Sequence, residues 1–294
     1  MANKVYLDNE EATEAWNGVL FDRFVEYRDI LTTGLGAHGD EAMRGTPPRL
    51  GDRVLDIGCG FGDTTQQLAA LVGRRGHVVG IDVSDPFIEA AQEESDQAGI
   101  ENVSFIADDV QVAVPNGPFD YAFARFGTMF FANPVVAMRN VRMSLTPGGQ
   151  LCMVVWRRKL DNEWMHSAEQ VVAQWLETPD PDDSDEPTCG PGPFSMANAD
   201  TTSGILQSAG FEQISLRRCD IEISVGSDLD RAVSFAMALG PAGEVIRLSG
   251  EAGDQLRPQI ASALREAFAE YDRPEGIVAP ASTWIVTATA PLMA

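Results

Sequence analysis

The groups able to do chemistry in this sequence gather in a few places. Asp56-Ile57-Gly58-Cys59-Gly60-Phe61-Gly62 sets a carboxylate just ahead of three alternating glycines, and Thr64-Thr65 then open a helical run, TTQQLAALV. Glycines there remove Cβ atoms where a chain must bend sharply and let a ligand lie against the backbone. Asp82 closes the apolar run HVVGID, and a carboxylate in that place can accept hydrogen bonds from two adjacent hydroxyls at once. For proton transfer the foremost candidate is His166, just beyond the apolar run LCMVVW and beside Trp164 and Met165. His38 reads as loop, and His77 opens a strand at the end away from the glycine turn. Arg125 closes another apolar run, where its backbone carbonyl is as much a candidate as its guanidinium.

The glycine spacing restricts the ligand. A dinucleotide fingerprint places glycines first, third and sixth in the motif. Counted from Gly58, the third glycine comes fifth and Asp63 takes the sixth place. An acid there would meet a pyrophosphate at a helix N-terminus that otherwise favours anions. No Gly-Lys-Ser/Thr follows, so a P-loop is excluded. The turn suits a ligand without phosphates.

Asp56–Gly62 resembles the first motif, (D/E)xGxGxG, of class I S-adenosylmethionine (SAM) dependent methyltransferases. The likeness spans roughly residues 50–156 and points to the ubiquinone/menaquinone-biosynthesis-like branch. It implies a Rossmann-like α/β fold with a seven-stranded, mostly parallel sheet, helices on both faces, an antiparallel last strand and a helical cap or lid. It also implies SAM as cofactor and S-adenosylhomocysteine as product. Asp56, Gly58, Cys59, Gly60, Gly62, Thr64 and Thr65 would then surround the methionine part, with the turn's amides facing it. Asp82, Val83 and Ser84 would hold the ribose, and Asp108, Asp109 and Val110 the adenine. A glycine often stands at the Asp108 position in the family, which leaves the choice between Asp108 and Asp109 open. Arg125, Phe126 and Met129 would line the end of the fourth strand, Arg125 near the methionine carboxylate or the methyl group. Arg125 and His166 are the two candidate catalytic residues.

The positioning elements follow from periodicity. Residues 8–31 place apolar side chains every three or four residues, a helix with Asp8 or Asn9 as N-cap and Gly34 and Gly36 as stop. Strands are expected at 53–57, 77–82, 103–107, 119–124 and 151–156, with helices at 64–72, 86–98 and 133–145 between them, the pattern of a covered parallel sheet. Beyond Trp156 come a helix at 163–177 with Trp164, Val171, Trp175 and Leu176 on one side, and an acidic Pro/Gly-rich loop at 178–189. Helices at 200–209, 227–239 (N-capped by Ser227) and 255–271 follow, with strands near 213–223 and at 283–289. This divides the chain into an N-terminal helical cap (1–48), a SAM-binding core (49–156), a lid and substrate segment (157–200) and a C-terminal completion of the sheet (201–294).

Composition sets further bounds. The chain has 294 residues, 44% of them hydrophobic, and a formal charge of −23. So acidic a surface repels phosphate backbones, and Arg157-Arg158-Lys159 is the longest basic cluster, so nucleic acid is excluded as substrate. The four cysteines, Cys59, Cys152, Cys189 and Cys219, are scattered, which favours free thiols over a disulfide or zinc framework. No metal is expected. The first residues lack a signal core and no long apolar run appears, so the expectation is a cytoplasmic protein, not inserted in a membrane, acting as monomer or homodimer.

Methyl transfer from a sulfonium mainly needs the nucleophile held in line at about 3 Å with water excluded. Trp16, Phe130, Trp156, Trp164, Phe194 and Met196 would build a pocket for a small apolar or aromatic acceptor, although each taken singly also fits plain core. No NPPY-type motif follows the fourth strand, where ARFG stands instead. O-, N- and C-methylation stay open. The alternatives are a SAM-binding regulator or scaffold and a nicotinamide-dependent oxidoreductase.

Overall fold

The computed structural model describes residues 10–177 and 192–292. Strands β1 (Arg53–Ile57), β2 (His77–Asp82), β3 (Val103–Ala107), β4 (Phe119–Arg125) and β5 (Leu145–Trp156) pair in parallel. β6 (Glu212–Gly226), β7 (Asp272–Arg273) and β8 (Gly276–Thr289) complete the sheet, in the order β3-β2-β1-β4-β5-β8-β6. β8 runs antiparallel to both its neighbours. The β1 side chains Val54 and Leu55 are both buried and join different core clusters, which is why these short runs show no polar alternation. Seven strands were expected and eight are found, because the two-residue β7 folds back on an unexpectedly early start of β8 at Gly276.

The cap departs further from expectation. The helix expected over 8–31 breaks at Gly18 into α1 (Glu10–Asn17) and α2 (Val19–Glu26). Its supposed N-cap, Asp8 or Asn9, lies outside the described residues. Gly34 and Gly36 do not stop the helical path, which passes through a π-turn (Ile30–Gly34) into α3 (Gly36–Gly45). These glycines serve close approach instead of termination. A Cβ on Gly34 would lie 2.1 Å from the Ser224 carbonyl of β6, and one on Gly36 would lie 3.3 Å from Nη1 of Arg125. His38, expected in a loop, is therefore on a helix and fully buried.

Helices α4 (Asp63–Val72), α5 (Asp85–Gln97) and α6 (Pro134–Ser144) cover the parallel half of the sheet. α7 (Glu163–Val172), α8 (Ala199–Ala209), α9 (Leu229–Ala238), α10 (Gly240–Leu248) and α11 (Gly250–Phe268) form the C-terminal layer. α9 is N-capped by Asp228, not Ser227, since the Asp228 carboxylate reaches the Arg231 amide at 2.9 Å. α7 ends at Val172, so Trp175 leaves the apolar face and is exposed while Trp164 and Leu176 stay buried. The acidic segment 178–189 lies outside the described residues. Among the described residues no helix is long and apolar enough to cross a membrane, and no cluster of His, Cys, Asp and Glu could hold a metal.

Candidate active site

The strand order turns back between β1 and β4, so the carboxyl ends of β2, β1 and β4 open a crevice at that switch point. Gly58, Gly60 and Gly62 all have positive φ (66°, 51° and 78°). A Cβ on Gly58 would sit 3.0 Å from Cα of Gly127 in the turn after β4, and one on Gly62 would sit 3.0 Å from the Phe105 ring of β3. Gly58 remains exposed, and Gly60 and Asp82 are half-buried.

The turn's amides do not face the crevice as expected. Gly58 and Cys59 donate to Ile81 O (2.8 and 3.1 Å), Gly62 donates to Cys59 O (2.9 Å), and Gly60 donates to Asp82 Oδ2 (3.0 Å). Three of these amides stitch the turn to β2, and the fourth closes the turn on itself. The turn therefore offers a ligand its bare Cα surface and carbonyl edge. The Cys59 thiol is buried and pushed well up by that burial, so it is inert.

Asp82 accepts from Gly60 N through one oxygen and from Ser84 N (3.1 Å) through the other. Each carboxylate oxygen thus keeps capacity for one more donor. Crowding by protein raises its pKa, opposed by these amides. Asp56 lies fully buried under the turn, where Thr65 Oγ1 donates to it at 2.6 Å. Burial pushes its carboxyl up to about 7. Thr64 is buried beside them. Asp63, at the start of α4, is bound by Arg28 (2.9 Å), which also grips Glu94 and lies 4.3 Å from the Phe61 ring centroid.

Sequence reasoning expected a cap with Trp16 and Phe130 here but missed the other rings that roof this crevice. Phe87 of α5 lies at the centre, with Phe61 at 4.8 Å, Phe21 at 5.0 Å, Phe24 at 5.7 Å and Trp16 at 6.5 Å between centroids. Trp16 also meets Phe130 edge-on at 5.2 Å, and its carbonyl accepts from Ser84 Oγ at 3.2 Å. Aromatic residues three apart on α2, Phe21 and Phe24, were the readable signal. The opposite face of α2 borders a separate cleft of about 490 Å³, lined by Arg23, Tyr27, Ser234, Met237 and Arg257 among others.

The remaining expected residues fall as follows. Val83 is half-buried beside Asp82. Asp108 is exposed at the end of β3 and accepts from the Asp109 amide, while the Asp109 carboxylate accepts from Gln111 N at 2.8 Å. Val110 is buried, with its carbonyl held by Asn140. Arg125 ends β4 with its aliphatic stem against Gly39 of α3. Its guanidinium has no ion pair among the described residues, and burial lowers its pKa against the pull of Asp63, Asp56 and Asp40. Phe126 is held at φ +61°, an uncommon conformation for a non-glycine residue.

The six expected pocket residues do not form one wall. Trp16 and Phe130 meet over the crevice. Trp156 stacks on Phe126 at 4.6 Å beside His38. Phe194 and Met196 flank Ser195, which hydrogen-bonds Met129 O, and Met129 Sδ in turn receives the Trp156 amide. Trp164 stacks on Phe235 of α9 at 6.2 Å. His166 is half-buried with an unpartnered Nδ1, on a helix packed against α10, α11 and β8. His77 opens β2 and bonds Ser104 Oγ (3.0 Å), as its strand position implied.

Residues 49–184 match the model of a methyltransferase-domain family. That segment is similar to methyltransferase domains. The demethylmenaquinone methyltransferase of Listeria welshimeri is 30% identical over 115 residues, 39% of this chain and 49% of that protein. The chain thus spans about half the length of the curated relatives it matches. The YcgJ protein of Bacillus subtilis superposes with a TM-score of 0.54 at 16% identity, over 87% of this chain and 97% of that one. Phosphoethanolamine N-methyltransferase 2 of Haemonchus contortus, solved with SAM, gives 0.57 at 16% identity, over 95% of this chain and 60% of that one. These superpositions bear out the fold.

Proposed function

We propose that this protein transfers the methyl group of SAM to a small apolar or aromatic molecule. The observation that carries the reading is Asp82. It is half-exposed at the switch point, fixed by two amides, and retains one acceptor site on each oxygen for the ribose hydroxyls. The surroundings fit SAM in particular. Asp82 sets a carboxylate at the crevice and Asp63 another at the start of α4, beside the place a pyrophosphate would need, an arrangement that suits a sulfonium better than a phosphate.

SAM, when bound, supplies a methyl group already made electrophilic by the sulfonium. The chain's own residues do the rest. Gly58 and Gly60 present bare backbone to the methionine part, Val83 flanks the ribose, and Asp109 and Val110 meet the adenine, with Asp108 at the exposed rim. Arg125, whose guanidinium has no ion pair among the described residues, would meet the methionine carboxylate. Trp16, Phe130 and their aromatic neighbours close the crevice against water, and the rings of Phe126 and Trp156 suit an apolar or aromatic acceptor. The likeness to demethylmenaquinone methyltransferases supports a ring-bearing acceptor of this kind.

The test is methyl transfer from radiolabelled SAM into a fractionated metabolite extract. Label should appear in a small, organic-extractable product. Label confined to protein or nucleic acid, or no transfer at all, would overturn the reading.

A further inference from the structure

We propose that His38 takes the proton of the methyl acceptor, and that the acceptor is accordingly an aromatic ring bearing a hydroxyl. The proposal rests on the methyl-transfer reading above and adds to it the acceptor's chemistry. His38 is fully buried on α3, yet its Nε2 has no partner among the described residues. A buried ring nitrogen left bare is rare in a folded protein and calls for an explanation. The other nitrogen is anchored: Nδ1 lies 3.0 Å from Thr283 Oγ1, which itself lies 3.4 Å from the Cys219 carbonyl. With its single proton given to that carbonyl, Thr283 receives the Nδ1 proton, and Nε2 is left with an open lone pair.

The surroundings point to a flat ring. His38 meets Phe126 and Trp156 edge-on at 6.1 and 6.0 Å, and those two stack on each other at 4.6 Å. Phe126 follows the carboxyl end of β4 and Trp156 ends β5, so all three rings stand at the ligand-binding edge of the sheet. The charged groups around them are Arg125 at the end of β4, Asp40 and Glu41 on α3, and Asp220 and Arg217 on β6. Asp220 is taken by Arg157 and Arg218, and Arg217 by Glu41. None of them reaches Nε2. Burial among the aromatic rings pushes the imidazole down to about 4, so it is neutral and able to accept at pH 7. His166 shares the bare nitrogen, but it is only half-buried, on a helix packed against α10, α11 and β8.

The step balances. The acceptor O–H hydrogen-bonds to Nε2; as the O–CH3 bond forms, the S–CH3 bond breaks with its electron pair passing to sulfur, and the O–H proton moves to Nε2. An oxygen carrying both a methyl and a proton is strongly acidic, so even a weakly basic imidazole receives it. One positive charge leaves sulfur as another appears on the ring, so the net charge of the site is unchanged. The imidazolium returns its proton to water when the product leaves.

The test is 15N NMR of histidine-labelled protein saturated with S-adenosylhomocysteine and titrated with 2-naphthol, catechol and 1,4-naphthohydroquinone, with their methyl ethers as controls. The expected result is an unprotonated Nε2 whose resonance moves toward the hydrogen-bonded position with at least one hydroxyl compound and with no ether. In radiolabel transfer to that compound, His38→Asn should lower kcat by about 100-fold or more, abolish the acidic limb of the pH profile and leave KM and SAM affinity little changed. Thr283→Val keeps the imidazole, frees the tautomer and should cost roughly tenfold in kcat by the same reasoning. An Nε2 signal indifferent to every hydroxyl compound while S-adenosylhomocysteine binds, or full activity in His38→Asn, would overturn the proposal and leave the methyl-transfer reading standing. Failure of S-adenosylhomocysteine to bind would instead remove that reading, and the proposal with it.

Discussion

The two walls of the crevice handle charge in opposite ways. The turn side is built from carboxylates held by amides and by Thr65. The cap side is built from rings, with one imidazole among them. Each wall buries a group able to carry charge near neutral pH, Asp56 on one and His38 on the other, and burial drives both toward neutrality. Asp56 is pushed up to about 7 and His38 down to about 4. The lesson is that one physical cause, desolvation, gives the two walls opposite responses to pH.

That contrast yields the largest expected effect. Folded Asp56 keeps its proton to about pH 7, whereas the unfolded chain loses it near 3.8. Its contribution to stability is therefore full below pH 3.8 and is lost as pH rises toward 7. Unfolded His38 takes up a proton near pH 6.5, whereas the folded protein refuses it down to about 4. Its contribution is full above pH 6.5 and is lost as pH falls toward 4. At about 1.4 kcal/mol per pH unit the swings are on the order of 4 and 3 kcal/mol, and they oppose each other between about pH 4 and 6.5. Urea unfolding across that range should show Asp56→Asn gaining stability with rising pH and His38→Asn losing it. Two variants with the slope of the unsubstituted protein would show that neither burial acts as described.

Asp82→Ala probes the turn side alone. Loss of charge-assisted bonds to the ribose should weaken SAM by roughly 1.5–3 kcal/mol, more than tenfold, as read by calorimetry. Unchanged affinity would take Asp82 out of the site. The smallest effect belongs to the contact joining the walls, Arg28 to Asp63 and Glu94. These side chains are about a quarter to a third exposed, so Arg28→Ala should cost about 1 kcal/mol or less of stability. It should nevertheless speed SAM release in stopped flow, because the cap is tied down there. A release rate equal to that of the unsubstituted protein would mean that the contact does not hold the cap.

Much of the turn side was legible because its residues are contiguous and punctuated by glycine. Asp56 through Gly62, Asp82 and the parallel strands between them all stand where their pattern put them. What spacing could not reveal was that the turn's amides are consumed by Ile81 and Asp82, since that depends on the path of β2. The cap side was poorly legible. Gly34 and Gly36 look like helix stops, and only the approach of Ser224 and Arg125 shows that they are there for clearance. His38 looked like a loop residue for the same reason. Trp16, Trp156 and Trp164 look alike in sequence, and tertiary packing alone sends them to different places. Gly127 gave no signal at all, because its partner Gly58 lies on another strand end.

The central claim is that the crevice beside Asp82 holds a sulfonium nucleoside and no pyrophosphate. Calorimetric titration of the intact chain with SAM, S-adenosylhomocysteine and NAD tests it most directly. Saturable one-to-one binding of the first two and none of NAD is expected. Binding of NAD, or silence with both sulfur ligands, would contradict it.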